Sequence, residues 1–207
     1  IDGLPADAPE LLLSRLLDEY RSARETRFAA TSRRAQAAAG LLVVGLQQRL
    51  LSSIEAFARS LAVHRATVER QWEKSRAIGR NASPTLQEPD SLFTHSPDAD
   101  DERADLTPEE AEAEESAEVE AATLAAEAEA PRDAEAERLW RHEQSLLDRM
   151  RAIADPARHR PDAKLTHLID WIRAHLCPEL PPFGQAPRGP APKWLPRRVL
   201  VFTENRE

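Results

Sequence analysis

A helical pattern across residues 32–74 limits the possible folds of this chain more than any other feature. Residues 35–51 are apolar on nearly every side, and a helix of this kind is buried on all sides. In the second half of residues 32–74, the apolar and polar residues alternate. The apolar ones are Ile54, Phe57, Leu61, Val68 and Trp72, and the polar ones are Arg59, His64, Arg65, Glu69 and Arg70. We therefore expect a mainly α fold with this segment at its centre and a break near residues 51–53.

Apolar residues recurring at three- and four-residue spacing predict three further helices, at residues 9–28, 133–154 and 162–176. The first has the stripe Leu11, Leu12, Leu16, Leu17 and Tyr20, and Pro9 suits its first turn. Pro156 and Pro161 are expected to interrupt the chain between the last two helices. We expect a helical bundle in which the first two helices pack against the helix at 162–176.

An acidic, low-complexity insert separates the two halves of this bundle. Residues 88–138 contain 19 acidic and 3 basic residues, a charge of −16 in a chain whose net charge is −8, so the remainder carries +8. A basic remainder is compatible with nucleic-acid binding, although arginine-rich helices are also common solvated faces. The charge pattern alone leaves both possibilities open.

Within the insert, Thr107-Pro108-Glu109-Glu110 predicts a helix start with a capping box. The Ala/Glu run that follows offers few apolar side chains to bury, so we expect a solvated helix, or a partly helical segment in a mobile insert. A more specific alternative is that this run is an acidic arm that competes with DNA for a basic surface.

No complete active site is recognisable in the sequence. The glycines form no phosphate-binding loop, and His159, His167, His175 and Cys177 lack a known metal-ligand spacing, so no metal site is predicted. Cys177 would lie just past a helix C-terminus, where the helix dipole disfavours a thiolate. The single cysteine fits a reducing compartment, so we expect a cytoplasmic protein. The longest apolar run, residues 37–46, is too short for a membrane span of about 20 residues, and no membrane partner is expected.

The last eleven residues differ from everything before them. A connector with seven prolines, residues 178–196, leads to four consecutive apolar residues, Val199 to Phe202. Such a run is typical of a strand buried on both faces of a parallel sheet, and no other part of the chain is predicted to supply that sheet. We therefore expect the chain to be a fragment of a larger protein, and its start at Ile1 agrees with this expectation.

Three segments occur in an order that resembles one enzyme family. Residues 40–61 carry a Gln-x-Arg-Leu-x-Ser-Ser pattern at residues 47–53, and a second segment, 162–173, ends in Asp170-Trp171-Ile172-Arg173. The third, residues 197–204, is similar to motif IV, the first strand of a second RecA-like lobe. Together they resemble the region between the lobes of bacterial Swi/Snf-type superfamily 2 helicases, of the DISARM-like or RapA-like kind.

The resemblance implies a division of the chain. Residues 1–78 would form a helical inter-lobe region, 79–132 the acidic insert, 133–177 a second helical region, 178–196 the connector, and 197–207 the first strand of a truncated RecA-like α/β lobe. This fragment lacks the Walker motifs and would not be active alone. The parent protein would bind ATP and Mg²⁺ and move on double-stranded DNA, with subunits of an anti-phage defence system as further partners.

The resemblance also suggests residues that contact DNA. Motif IV contributes contacts to backbone phosphates in the family, which makes Thr203 the first candidate, with Arg206 and Lys164 as weaker ones. Each also has a plainer explanation: a strand-end cap, a solvated charge and a first-turn surface lysine, respectively. Arg49 likewise has two possible interpretations: it is either a surface arginine whose stem covers apolar neighbours or a functional residue.

A hypothesis of a different class requires no enzyme. The chain would then be a helical interaction module whose acidic arm binds a basic partner.

Overall fold

The computed structural model of the protein describes residues 4–78, 107–182, 184–186 and 191–201. These residues contain six α-helices: α1 (Pro9–Phe28), α2 (Arg33–Ser52), α3 (Ile54–Ile78), α4 (Pro108–Glu127), α5 (Ala134–Ala157) and α6 (Ala163–Leu176). The prediction of a mainly α fold is confirmed. Among the described residues, no helix is both long enough and apolar enough to cross a bilayer.

Polar caps fix the helix boundaries where the sequence predicts them. Ser53 ends α2 with extended backbone, and its Oγ accepts a hydrogen bond from Ala56 N at 3.0 Å, so one residue closes α2 and starts α3. The predicted break is therefore confirmed. Thr107 and Glu110 form the predicted capping box at the start of α4. The aspartates Asp133 and Asp162 cap α5 and α6.

Pro156 does not end α5, contrary to the prediction. The helix continues through Pro156 to Ala157, and the N–H of Arg158 still donates to Ala154 O at 2.8 Å. A proline in the last turn removes only its own N–H from the ladder, and burial of Ala154 and Ala157 favours completing the turn.

Paired side chains show how the helices run. Glu55–Arg158, Arg65–Asp148 and Trp72–Trp140 join α3 to α5 in reverse order, so these helices are antiparallel. Arg59–Glu112 and Arg70–Glu120 join α3 to α4 in the same order, so α4 lies parallel to α3.

The main core lies between α1, α2, α3 and α5. Its buried residues include Leu13, Leu16, Leu17, Tyr20, Leu46, Phe57, Leu61, Leu146, Leu147 and Met150. On α1, Leu13 is fully buried, whereas Leu11 and Leu12 of the predicted stripe are only partly buried. A smaller cluster of Phe28, Ala35, Ala38, Ala39 and Ala126 packs α4 against the end of α1 and the start of α2. Small side chains there allow the helices to approach closely.

One side of α2 is open, although its composition predicts burial all round. Leu41 and Val44 are each 49% exposed and Leu51 is 69% exposed. Helices α1, α3 and α4 pack on the other side of α2, and no described element covers this one. The prediction was wrong for this chain because the fold supplies too few neighbours.

Helix α6 lies at the edge of the bundle, so the expected packing of the first two helices against it is wrong. Helix α5 packs against α1 instead, since its stripe through Leu146, Leu147, Met150 and Ala154 is fully buried. On α6, Leu165 and Trp171 remain exposed. A hydrogen bond from Ala163 N to Glu10 Oε1, 2.9 Å long, links the start of α6 to α1.

Helix α4 is part of the bundle rather than a solvated spacer. Its last turns bury Ala122, Thr123, Ala126 and Glu127 against the neighbouring helices. The acidic composition hid this face because it consists of small residues and one carboxylate that is neutralised by arginines. The expected mobility of residues 79–106 concerns a stretch outside the described residues.

The predicted C-terminal strand is not confirmed. Residues 197–201 have no regular secondary structure, and Leu200 is 82% exposed. The backbone N–H of Leu195 donates to Leu176 O at 2.7 Å, which ties the preceding segment to the end of α6. Residues 202–207, which include the last three residues of the motif IV resemblance, lie outside the described residues.

Replacing Phe57 with alanine tests the core assignment. Phe57 is fully buried in the main cluster, so Phe57→Ala is expected to lower the free energy of unfolding by about 3–5 kcal/mol. Leu51→Ala, at an exposed position, should change it by less than about 0.5 kcal/mol. Urea unfolding followed by circular dichroism measures both, and equal losses would contradict the described core.

Candidate functional site

A cluster of charged and polar side chains lies buried where α1, α3, α4 and α5 meet. We call it the ionic centre; its members are Arg24, Arg27, Glu127, Glu143, Tyr20, His64 and Thr123. Two guanidinium groups face two carboxylates, so the charges of the cluster balance. Buried charges of this kind require pairing, because an unpaired ion in the interior costs several kcal/mol.

Arg27 makes the strongest contacts of the centre. Its Nη1 and Nη2 donate to the two carboxylate oxygens of Glu127 at 3.0 and 2.6 Å, and its Nε donates to Glu143 Oε1 at 2.8 Å. Arg24 Nη1 donates to Glu127 Oε1 at 2.9 Å and lies 3.5 Å from Glu143 Oε2. Glu127 of α4 is therefore held by two arginines of α1.

A directed chain of hydrogen bonds leads away from Arg24. Arg24 Nη1 also donates to Tyr20 Oη at 3.0 Å, and Tyr20 Oη lies 2.6 Å from His64 Nε2. His64 Nδ1 lies 2.8 Å from Thr123 Oγ1, whose hydroxyl donates to Val119 O at 2.7 Å. Since that hydroxyl proton is used, Thr123 must accept from His64 Nδ1–H. Tyr20 accepts from Arg24 and can donate its own hydroxyl proton to Nε2, an arrangement that suits a neutral His64.

The pKa values of the centre agree with this assignment. Burial, reinforced by nearby Arg24, lowers the pKa of His64 to about 3, and burial raises the pKa of Tyr20 above its ordinary value. Burial alone would raise the pKa of Glu127, but Arg24 and Arg27 outweigh it and hold that pKa below the ordinary value. At Glu143, which receives fewer short hydrogen bonds, burial wins and the pKa is raised.

The ionic centre is closed to solvent and therefore fits a structural role. The Phe28 ring lies 5.0 Å from Arg24 Cζ and 4.6 Å from Arg27 Cζ, so it covers both cations. A substrate has no access to the buried carboxylates or to His64. The two arginines instead require a carboxylate at position 127, and this requirement holds α4 on the bundle.

Two cavities among the described residues are each smaller than a typical small-molecule site. The one beside the ionic centre, lined by Trp72, Glu127 and Arg132 among others, has a volume of about 10 Å³, enough for about one water molecule. An open groove of about 220 Å³ lies at the end of α6, beside Arg173 and Leu180. Small-molecule sites typically have about 300–1,000 Å³.

Of the three predicted DNA-contacting residues, the structure describes only Lys164. Lys164 lies in the first turn of α6, and its Nζ donates to the backbone carbonyls of Leu51 and Ser52 at the end of α2. This lysine compensates the negative end of a helix dipole. Thr203 and Arg206 lie outside the described residues.

Three other residues that the sequence singled out, Arg49, His175 and Cys177, have structural contacts. His175 stacks on Trp171, and its Nδ1 lies 2.9 Å from Trp171 O. Cys177 is buried, and its thiol donates to Lys193 O at 3.3 Å. Over the described ranges, no group of three or more His, Cys, Asp or Glu residues could hold a metal ion. Arg49 forms an ion pair with Glu115 at 2.5 Å.

Sequence reasoning missed the ionic centre, although a signal for it exists. Positions 13, 17, 20, 24 and 27 of α1 have the alternating three- and four-residue spacing of a core stripe, which places Arg24 and Arg27 in line with Leu13, Leu17 and Tyr20. Glu143 occupies the same phase as Leu147 and Met150 on α5. His64, interpreted as part of the polar face of α3, follows Phe57 and Leu61 in the same way.

Comparisons of the chain with protein-family models, with curated proteins and with solved structures found no match.

Glu127→Gln tests the importance of the ionic centre. The substitution removes one of two buried carboxylates and leaves two guanidinium groups facing one, which should cost about 3–5 kcal/mol of unfolding free energy. Glu129→Gln, two residues away and exposed, has the same change of charge and should cost less than about 0.5 kcal/mol. Chemical denaturation measures both, and similar losses would contradict the account.

Acid should destabilise the protein through His64. The unfolded chain binds a proton at this residue below about pH 6.5, whereas the folded chain binds none until about pH 3, so stability falls as pH decreases between these values. From pH 7.0 to 5.5 we expect His64 alone to remove about 1 kcal/mol. His64→Gln should lack this component while retaining Tyr20, Arg24, Arg27, Glu127 and Glu143. Equal pH dependence in both proteins, measured by urea unfolding, would contradict a buried neutral His64.

Proposed function

We propose that the chain is the helical module between the two ATPase lobes of a Swi/Snf-type DNA translocase. It would bind neither ATP nor Mg²⁺ itself. Its task would be to connect the lobes rigidly, so that closure of the lobes on ATP moves the protein along double-stranded DNA. The order of the three resembling segments, at residues 40–61, 162–173 and 197–204, supports this proposal.

The observation that carries the proposal is the uncovered apolar segment after α6. Val199, Leu200 and Val201 are 39%, 82% and 55% exposed, and no described element packs on them. Three consecutive exposed aliphatic residues in a chain with a well-formed core indicate a partner surface. Insertion as a strand into a neighbouring sheet would bury them and satisfy their backbone groups.

The open side of α2 is a second surface of the same kind. Leu41, Val44 and Leu51 recur at helical spacing and face outward together. A module between two lobes must contact both of them, and two separate uncovered apolar surfaces fit that requirement. The buried ion pairs of the ionic centre favour a stiff bundle, which suits transmission of rigid-body motion.

The catalytic groups would lie elsewhere in the polypeptide. Thr203 and Arg206 remain the proposed contacts to DNA phosphates. Lys164 is a weaker candidate, since its ammonium group is already engaged by Leu51 O and Ser52 O. The setting would be cytoplasmic, in a system such as anti-phage defence.

The rival hypothesis, a free acidic arm that binds a basic partner, receives less support. Glu112, Glu115, Glu120 and Glu127 of α4 already pair with arginines of α1, α2 and α3. For the described part of the insert, the basic partner lies in the same chain.

Leu200→Lys in the full-length polypeptide that carries this chain tests the proposal. If Leu200 is buried against an ATPase lobe, a lysine there should cost at least the transfer free energy of leucine, about 1.5–3 kcal/mol, and lower DNA-stimulated ATP hydrolysis by about tenfold or more. Leu124→Lys, an exposed position on α4, is the control and should retain activity within about twofold.

Two results would contradict the proposal. One is a full-length polypeptide that hydrolyses no ATP with or without DNA. The other is an active protein in which Leu200→Lys and Leu124→Lys behave alike.

A further inference from the structure

We propose that Arg49, Arg59 and Arg70 form a DNA phosphate-binding surface that α4 covers and that duplex DNA competes for. Each of these arginines forms an ion pair with a different glutamate of α4: Arg49 with Glu115 at 2.5 Å, Arg70 with Glu120 at 3.1 Å, and Arg59 with Glu112. The carboxylates of α4 thus occupy the positions that phosphates would take.

The two ends of α4 are held differently. Among residues 109–127, the buried side chains all lie between Ala122 and Glu127. The arginine–glutamate pairs lie before this buried stretch, and solvent reaches all three: the arginine side chains are 18–50% exposed and the glutamate side chains 31–55%. Ion pairs that solvent reaches are weakened by salt and contribute little to folding. The first two-thirds of α4 can therefore separate from α2 and α3 while Glu127 stays anchored.

The arginines suit a nucleic-acid backbone. Arg59 and Arg70 are eleven residues apart on α3, about three helical turns, so they lie on one face about 16 Å apart. This distance corresponds to about five base-pair steps along a strand. A guanidinium group binds phosphate through two parallel hydrogen bonds, and each neutralised phosphate releases counterions. A dense row of phosphates therefore competes well with isolated carboxylates.

The choice of DNA over another polyanion rests on the proposed function. The two proposals fail separately, because this one is tested by DNA binding at α2 and α3, whereas the other is tested by ATP hydrolysis after a change at Leu200.

The experiment measures binding of a fluorescently labelled 20-base-pair duplex to the whole chain by anisotropy. The variant Glu112→Gln/Glu115→Gln/Glu120→Gln releases the arginines and should bind at least tenfold tighter than the unmodified chain. The control Glu25→Gln/Glu73→Gln/Glu129→Gln changes the net charge equally, at exposed carboxylates outside these ion pairs, and should bind less than threefold tighter. Circular dichroism verifies that each variant is folded.

A second variant locates the effect. Adding Arg49→Gln/Arg59→Gln/Arg70→Gln to the first variant should abolish its gain and reduce the slope of log Kd against log salt by about 2.7, the value for three phosphate contacts. Equal tightening in the control, an unchanged salt slope, preference for single-stranded DNA or absence of binding in all variants would each overturn the proposal.

Discussion

The ion pair between Arg27 and Glu127 is the interaction on which the arrangement of helices depends. It joins α1 to α4 across a hundred residues of sequence, with both carboxylate oxygens of Glu127 engaged at 2.6 and 3.0 Å. Without Glu127, two guanidinium groups would face only Glu143 in the interior. The resulting unpaired charge explains why a helix with few apolar side chains stays docked on the bundle.

The balance of charges also defines where α4 docks. If α4 slipped by one turn, Glu127 would move away from Arg24 and Arg27, and Thr123 would no longer lie opposite His64. Apolar contacts among alanines are non-directional and would tolerate such a slip more readily. The hydrogen-bond chain through Tyr20 and His64 therefore adds specificity to a contact surface that is otherwise made of small residues.

Much of the fold follows from the sequence because local signals determine it. Pro9 and Thr107 lie in the first turn and at the cap as predicted, and Ser53 and Asp162 mark the predicted break and helix start, since such signals depend on neighbouring residues alone. The prediction of which helices pack against each other failed. The apolar spacing of α5 and α6 is similar, and nothing local tells which of them packs against α1.

The ionic centre could not be predicted from the sequence for the same reason. Charged residues at core positions of one helix can be buried only if another helix supplies the opposite charge, and that helix is remote in sequence. Arg24 and Arg27 were visible as charges in a leucine stripe, but their partners Glu127 and Glu143 became identifiable only in three dimensions. The same fact makes the acidic run look solvated when it is considered alone.

The bundle leaves several apolar side chains uncovered on its outside. Its interior holds a closed network, whereas the open side of α2 and the apolar segment at residues 199–201 are exposed, and α4 covers the arginines of the proposed DNA-binding surface. A stiff interior with several separate contact surfaces is consistent with a module that joins larger parts of a protein. The part of α4 that lacks buried side chains is where this bundle should open at the lowest cost in free energy.

Native-state hydrogen exchange along α4 tests the central claim most directly. We expect amides of residues 121–127 to be protected to a degree comparable with the buried stretch of α5 around Leu146 and Met150, while residues 109–118 exchange faster. Exchange of residues 121–127 at the rate of an unstructured peptide, in a protein whose α5 remains protected, would contradict it. Helix α4 would then be the solvated arm that its composition suggests.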